Sequence, residues 1–125
     1  MNNRYKEDIN GRKKNMIVLD NGKNVYPDEL EGMFITIPGV KNVAVFEHVV
    51  KDKTVTYGVF SVEEGVTMEQ LGEAIAAANK KVASYKWVTH YAMTTEDLPV
   101  TGTQKVKHHQ VRKNLIEGKY PDRHE

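Results

Sequence analysis

The sequence predicts a small α+β domain, in which a three-stranded sheet is packed with helices and preceded by a short β-hairpin. Two features predict this class: apolar residues recur at helical spacing, and runs of β-branched and aromatic residues lie between those segments. A chain of 125 residues, 39% of them hydrophobic, is long enough to bury one core. It contains no cysteine, which excludes a disulfide framework, a thiolate metal site and a cysteine nucleophile.

The predicted hairpin comprises Met16–Leu19 and Asn24–Tyr26, which flank the turn sequence Asp-Asn-Gly-Lys. Asn and Gly tolerate positive φ, so this pair between two β-prone runs favours a tight turn. Pro27 suits the first turn of the helix that follows, and Pro38-Gly39 is expected to end that helix. Its apolar stripe consists of Leu30, Met33, Phe34 and Ile37.

The remaining elements follow from composition and capping signals. Val40–Phe46 and Thr54–Val62 are rich in β-branched and aromatic residues, and the polar stretch between them predicts antiparallel pairing. Thr67 begins a second helix, because a glutamine three residues later completes a capping box. Trp87–Met93 is the third predicted strand, and a basic helix is expected over Val106–Ile116.

The net charge of +1 conceals basic ends around an acidic body. Residues 1–14 carry five basic and two acidic side chains, residues 15–103 seven and twelve, and residues 104–119 five and one. Basic ends suit the phosphates of a nucleic acid or a nucleotide, although charge alone favours an ordinary solvated surface. No apolar run approaches the length of a membrane span, so a soluble protein is expected.

Three places combine basic residues with turn-forming ones: residues 11–14, the hairpin tip at 21–24 and the loop at 98–105. The loop carries Lys105, a mobile point charge suited to a phosphate or a carboxylate, but the residues alone favour an ordinary exposed lysine. No metal site is predicted, because the adjacent histidines at 108 and 109 point in different directions on a helix.

In order and spacing, these places resemble two motifs of the adenylate-forming, AMP-binding superfamily. Gly-Arg-Lys-Lys at 11–14, Asn-Gly-Lys-Asn-Val-Tyr-Pro at 21–27 and the following Glu-Leu-Glu resemble the hinge region of acyl-CoA synthetases. This form is most similar to that of bacterial long-chain fatty-acid CoA ligases. Leu98-Pro99 with Thr101 and Lys105 resembles the superfamily's last motif, Leu-Pro-x-Thr-x-x-Gly-Lys.

The resemblance implies the C-terminal lid domain of such an enzyme, with a linker at 1–10, the domain at 11–118 and a tail at 119–125. The implied site residues are the catalytic Lys105, the hinge Lys14, the nucleotide-binding Arg12, the CoA-binding Gly22 and Lys23, and the loop-supporting Thr101 and Gln104. Two positions depart from the family pattern: Gln104 replaces a glycine, and His108 stands where an arginine is common.

The resemblance also implies a large N-terminal adenylating domain as partner, with ATP, Mg²⁺ and CoA used by the complete enzyme. The substrate would be a carboxylic acid, most simply a fatty acid, and the location cytoplasmic. We expect the 125 residues alone to bind no cofactor and to be inactive. A start close to the hinge favours an excised fragment over a separate protein. Two alternatives stay open: a small basic nucleic-acid-binding module that uses residues 104–119, or a catalytically dead regulatory copy of the lid domain.

Overall fold

A computed structural model of the protein describes residues 16–103 and 105–125. The described residues form a two-stranded hairpin, a four-stranded sheet and α-helices, so the predicted α+β class is confirmed. In chain order the elements are β1 (Ile17–Val18), β2 (Asn24–Val25), α1 (Pro27–Phe34), β3 (Val40–Val50), β4 (Lys53–Val62), α2 (Met68–Asn79), a 3₁₀ turn (Ser84–Lys86), β5 (His90–Thr94), α3 (His108–Ile116) and β6 (Asp122–His124).

The hairpin and the helix after it form as predicted. β1 pairs antiparallel with β2, with Ile17 opposite Val25. The turn closes when the Leu19 N–H donates to the Lys23 carbonyl oxygen at 2.9 Å, and it requires φ of +83° at Gly22. Pro27 is the first residue of α1, where its lack of an N–H costs no hydrogen bond.

The larger sheet has the strand order β3-β4-β5-β6. β3 and β4 pair antiparallel as predicted, β4 and β5 run parallel with α2 in the connection, and β5 pairs antiparallel with β6. The prediction of three strands is therefore wrong by one. The fourth strand lies in the predicted tail and pairs through its backbone along the edge of β5. Its sequence, Asp-Arg-His, has no apolar alternation, so no side-chain pattern marks it as a strand.

Two local expectations have different outcomes. The capping box of α2 is present, because the Thr67 hydroxyl accepts from the Gln70 N–H at 3.1 Å and the Gln70 side chain accepts from the Thr67 N–H. The third predicted strand begins later than expected, at His90. Trp87 precedes it, is 39% exposed, and donates its indole N–H to the Val82 carbonyl oxygen.

The larger sheet carries a hydrophobic cluster on each face, because successive side chains of a strand point to opposite sides. The hairpin face is the side on which Val43, Val45, Phe60 and Val62 pack with the hairpin, α1 and α2. The α3 face is the side on which Ala44, Phe46, Tyr57 and Val59 pack with Leu98, α3 and Tyr120. Within the described ranges, no helix is long and apolar enough to cross a membrane.

Candidate functional site

The lysine loop comprises residues 98–107 and begins on the α3 face. Its two legs pair with each other as a short antiparallel ladder. Leu98 is buried in the cluster of that face, and Val100 and Val106 form an antiparallel bridge. The Thr101 N–H donates to the Lys105 carbonyl oxygen at 2.8 Å, and the Lys107 N–H donates to the Pro99 carbonyl oxygen at 2.9 Å. The loop therefore returns on itself over a short distance, with Lys105 near its end.

The hydroxyl of Thr101 lies at the centre of this loop. It accepts from the Lys105 N–H at 3.2 Å and the Thr103 N–H at 3.3 Å, and it lies 2.9 Å from the Thr103 hydroxyl oxygen. Gln104, the other residue expected to support the loop, lies outside the described residues. Lys105 is exposed, and its ammonium forms no ion pair with any carboxylate that the structure describes. The loop thus presents the Lys105 ammonium at a position that an incoming anion can reach.

Side chains from two strands fix the turn that precedes the loop. The Lys41 ammonium donates to the Thr95 carbonyl oxygen at 2.9 Å and lies 3.2 Å from the Asp97 carboxylate. The Ser61 hydroxyl, which is fully buried, donates to the Glu96 carbonyl oxygen at 2.7 Å. These bonds tie the entrance of the lysine loop to β3 and β4.

An ion pair fixes the exit of the loop. His108, the first residue of α3, places Nε2 2.5 Å from Glu31 Oε2, and the Val45 N–H donates to the same oxygen at 2.8 Å. The hydrogen bond to Glu31 raises the pKa of His108 above its usual 6.5, against the opposing effect of burial. Glu31 lies on α1, so this pair joins the helix that follows the hairpin to the helix that follows the lysine loop.

The hairpin tip presents a second lysine. A Cβ built at Gly22 meets nothing within 4 Å, so the backbone is open to an approaching ligand at this point. The Lys23 ammonium lies 5.3 Å from the centre of the Tyr85 ring, which is a cation–π distance. Asp20 accepts from the Thr54 N–H at 3.3 Å and so links the tip to β4.

Sequence reasoning gave no role to Tyr85 and Lys86, which the structure brings to the hairpin tip. The Lys86 ammonium lies 5.9 Å from the centre of the Tyr85 ring and 3.2 Å from the Glu29 carboxylate. Both residues belong to the 3₁₀ turn after α2, far from the hairpin in sequence. No local pattern could have found them, because only the packing of that turn brings them close to Lys23.

The expected site residues fall into separate groups. Thr101 and Lys105 lie together in the lysine loop beside the α3 face, whereas Gly22 and Lys23 lie at the tip of the hairpin, whose Ile17 and Val25 pack in the hairpin-face cluster. Arg12 and Lys14 lie outside the described residues. Among the residues that the structure describes, no group of three His, Cys, Asp or Glu side chains could hold a metal ion.

A cavity of about 290 Å³ lies beside the ion pair at the edge of the sheet. Its lining residues are Met16, Val45, Phe46, Glu47, His108, His109 and Arg112. Met16, which precedes β1, and His108, at the exit of the lysine loop, thus line the same cavity.

The chain is similar in sequence to a mitochondrial medium-chain acyl-CoA ligase of Danio rerio, with 33% identity over 109 residues that cover 83% of this chain and 17% of that ligase. In fold it is similar to MatB of Rhodopseudomonas palustris, with a TM-score of 0.69 and 25% identity over 83% of this chain and 20% of that protein. The o-succinylbenzoate coenzyme A synthetase of Bacillus subtilis, solved in complex with AMP, matches with a TM-score of 0.63 and 23% identity over 80% of this chain and 20% of that one. No protein-family model matches the chain.

The fold is similar to that of solved acyl-CoA synthetases of the adenylate-forming superfamily. The sequence match narrows this class: the chain is a domain of the acyl-CoA synthetase type, as the resemblance of its motifs predicted. It spans about one fifth of the length of these relatives.

Proposed function

We propose that the chain is the C-terminal lid domain of an ATP-dependent acyl-CoA ligase and that it presents two different surfaces to one active site in turn. The lysine loop would serve the first half-reaction, in which a carboxylate and ATP form acyl-AMP and pyrophosphate. The hairpin tip would serve the second, in which CoA and acyl-AMP form acyl-CoA and AMP. The nucleotide and acyl pockets would belong to a large N-terminal domain, so the chain alone would be inactive.

The observation that carries this proposal is that the segments carrying the two lysines pack on opposite faces of the sheet. The lysine loop packs through Leu98 on the α3 face, whereas the hairpin packs through Ile17 and Val25 on the hairpin face. A rigid domain cannot turn both faces toward one substrate in a single orientation. Two orientations and a pivot between them are therefore needed, and Lys14, two residues before Met16, is our candidate for that pivot.

In the first orientation, Lys105 would contact the carboxylate of the substrate and the α-phosphate of ATP. Negative charge crowds there as the new oxygen–phosphorus bond forms, and a fixed cation in a water-poor site lowers the barrier. The loop suits this task, since the Thr101 hydroxyl holds the backbone N–H of Lys105 while the side chain stays exposed. Arg12 would reach the nucleotide, and Thr101 and Gln104 would set the shape of the loop.

In the second orientation, the hairpin tip would face the pantetheine arm of CoA. Gly22 has no Cβ and open space beside it, so the backbone would approach the arm closely. Lys23 would meet the negatively charged part of CoA next to the aromatic ring of Tyr85. We assign the Mg²⁺ that accompanies ATP to the large domain, which would hold the nucleotide.

The substrate would be a carboxylic acid, and the long-chain form of the hairpin sequence favours a fatty acid. The name of the Danio rerio relative assigns that protein to mitochondria. A cytoplasmic location for this chain therefore stays a prediction.

The test is a chimera in which this chain replaces the matching segment of the Danio rerio ligase. We expect Lys105→Ala to lower ATP–pyrophosphate exchange by about 10²–10³-fold, while thioester yield from supplied acyl-AMP stays close to that of the unsubstituted chimera. Lys14→Pro should have the reverse effect, because proline removes the torsional freedom of a pivot. Lys107→Ala, an exposed lysine two residues from Lys105, is the matched control and should spare both half-reactions.

Three outcomes would contradict the proposal. The first is an unsubstituted chimera without exchange activity. The second is an equal loss of both half-reactions in Lys105→Ala and Lys14→Pro. The third is turnover of ATP and a fatty acid by the pure 125-residue chain.

A further inference from the structure

The Glu31–His108 pair spans the free edge of the larger sheet. β3 is the edge strand of the sheet. α1 packs on the hairpin face of the sheet, and α3 packs on the opposite face. Glu31 reaches the edge from α1 and accepts from the backbone N–H of Val45, which points away from β4. His108 reaches the same carboxylate oxygen from α3. One carboxylate thus joins both helices to the strand between them.

This pair lies close to the proposed catalytic group along the chain. Two residues separate Lys105 from His108, and the Lys107 N–H between them donates to the Pro99 carbonyl oxygen. The returning leg of the lysine loop therefore has little freedom to absorb a shift of His108. A displacement of the His108 backbone away from Glu31 would therefore shift the base of Lys105.

We propose that Glu31 and His108 are positioning residues for Lys105, holding the exit of the lysine loop at the sheet edge during acyl-adenylate formation. This inference rests on the function proposed above, since it gives Lys105 the task of meeting the α-phosphate. It goes beyond that function because Glu31 and His108 touch no reacting atom and act only through the loop.

The surroundings of His108 favour its charged form. The charged and titratable groups that face it are Glu31 and Asp28 on α1, Glu47 on β3, and His109 and Arg112 on α3. The hydrogen bond and charge of Glu31 and the charge of Asp28 raise the pKa of His108. His108 is therefore charged at pH values below its raised pKa, and the ion pair is lost as the pH rises through that pKa. An arginine at this position would stay charged at every working pH.

The first measurement uses the chain itself. The ring signals of His108 are followed by NMR while the pH is raised, in the unsubstituted chain, in Glu31→Gln and in His109→Gln. We expect a midpoint above 6.5 in the unsubstituted chain and in His109→Gln, and a lower midpoint in Glu31→Gln. The same midpoint in all three proteins would overturn the pairing.

The second measurement uses the chimera and ATP–pyrophosphate exchange between pH 6 and 9. We expect exchange by the unsubstituted enzyme to fall on the alkaline side and exchange by His108→Arg to stay level over the same range. Glu31→Gln should lower kcat about tenfold and leave KM for ATP nearly unchanged, because a small misplacement of the lysine affects the chemical step rather than binding. Thioester yield from supplied acyl-AMP should change in neither variant.

The outcomes separate this inference from the function on which it rests. If Lys105→Ala lowers exchange but His108→Arg keeps the alkaline fall, the positioning role of the pair is wrong and the proposed function stands. If Lys105→Ala leaves exchange unchanged, both are wrong. Should Glu31→Gln fail to fold, His108→Arg alone decides, since it retains the charge and a partner for Glu31.

Discussion

The hairpin tip and the lysine loop each present one exposed lysine, yet the protein anchors them by different forces. Two fully buried side chains, Ile17 and Val25, hold the hairpin on its face of the sheet. The lysine loop has one buried apolar side chain, Leu98, and one partly buried, Val106, and it is otherwise fixed by the Thr101 hydroxyl and by the ion pair at its exit. Hydrophobic contacts are strong but non-directional, whereas hydrogen bonds are weaker and set position closely.

This difference suits the two tasks that the proposed function gives to the regions. The hairpin would guide a flexible arm of CoA, for which it has a firm support and an open backbone at Gly22. The lysine loop would place Lys105 against a developing charge, which requires a position defined to within about 0.5 Å. The contrast predicts that changes in the hairpin act through stability and that changes in the lysine loop act through geometry.

The largest expected effect is that of Ile17→Ala. The side chain is fully buried between the hairpin and the sheet, so its removal should lower the free energy of unfolding by about 2–4 kcal/mol. Urea unfolding followed by the fluorescence of Trp87, the single tryptophan, measures this. Val18→Ala is the control on the same strand, and because Val18 is 49% exposed it should change stability by less than about 0.5 kcal/mol. Equal effects would mean that burial does not anchor the hairpin.

An intermediate effect is expected for Thr101→Val, which keeps the shape of the side chain but removes the acceptor of two backbone N–H groups. The loss should be about 0.5–1.5 kcal/mol, with faster amide hydrogen exchange at Lys105 and slower adenylation in the chimera. Thr103→Val leaves both acceptor bonds of Thr101 in place and serves as the control. If Thr103→Val had the larger effect on exchange at Lys105, the central role of the Thr101 hydroxyl would be refuted.

The smallest expected effect is the pH dependence of stability, which should differ between the two regions. Burial, followed by the charge of Arg112, lowers the pKa of His48, so the stability that neutral His48 supports is lost as the pH falls below its usual 6.5. The pKa of His108 is raised, so its contribution is lost in the opposite direction, as the pH rises. The hairpin and α1 contain no histidine.

Amide exchange between pH 5 and 8 measures this contrast residue by residue. Protection corrected for the intrinsic rate should change with pH around β3 and α3 and stay constant at the hairpin. His48→Gln should remove the decrease in the free energy of unfolding that we expect at acidic pH. If amide protection changed with pH at the hairpin and stayed constant at α3, the comparison would be contradicted.

Most of the fold could be predicted because local rules and tertiary packing agree. The turn at Gly22, Pro27 at the start of α1 and the capping box at Thr67 all satisfy backbone groups within a few residues of themselves. β6 could not be predicted in this way, since its backbone pairs with a strand about 30 residues earlier in the chain and its side chains carry no pattern.

The residues of the candidate site also divide into those that local sequence predicts and those that only tertiary packing brings together. Lys105, Thr101 and Gly22 are recognisable from short motifs, because the turns that present them have local sequence requirements. The Glu31–His108 pair joins residues 77 positions apart, and the contact of Lys23 with Tyr85 joins segments separated by three strands and two helices. No local rule relates such residues, and only the packing of α1 and α3 around one strand edge brings the pair together.

The edge strand β3 also affects how readily two copies of the molecule can pair edge to edge. An edge strand with free backbone donors is a template for a strand of another molecule, and continued pairing of this kind leads to aggregation. Two consecutive outward N–H groups of β3 are already occupied, that of Val43 by the Asn42 side chain at 2.9 Å and that of Val45 by Glu31 at 2.8 Å. The opposite edge is the short strand β6, with three residues. The carboxylate that holds His108 in place therefore also occupies a backbone donor that a strand of another molecule would need for pairing.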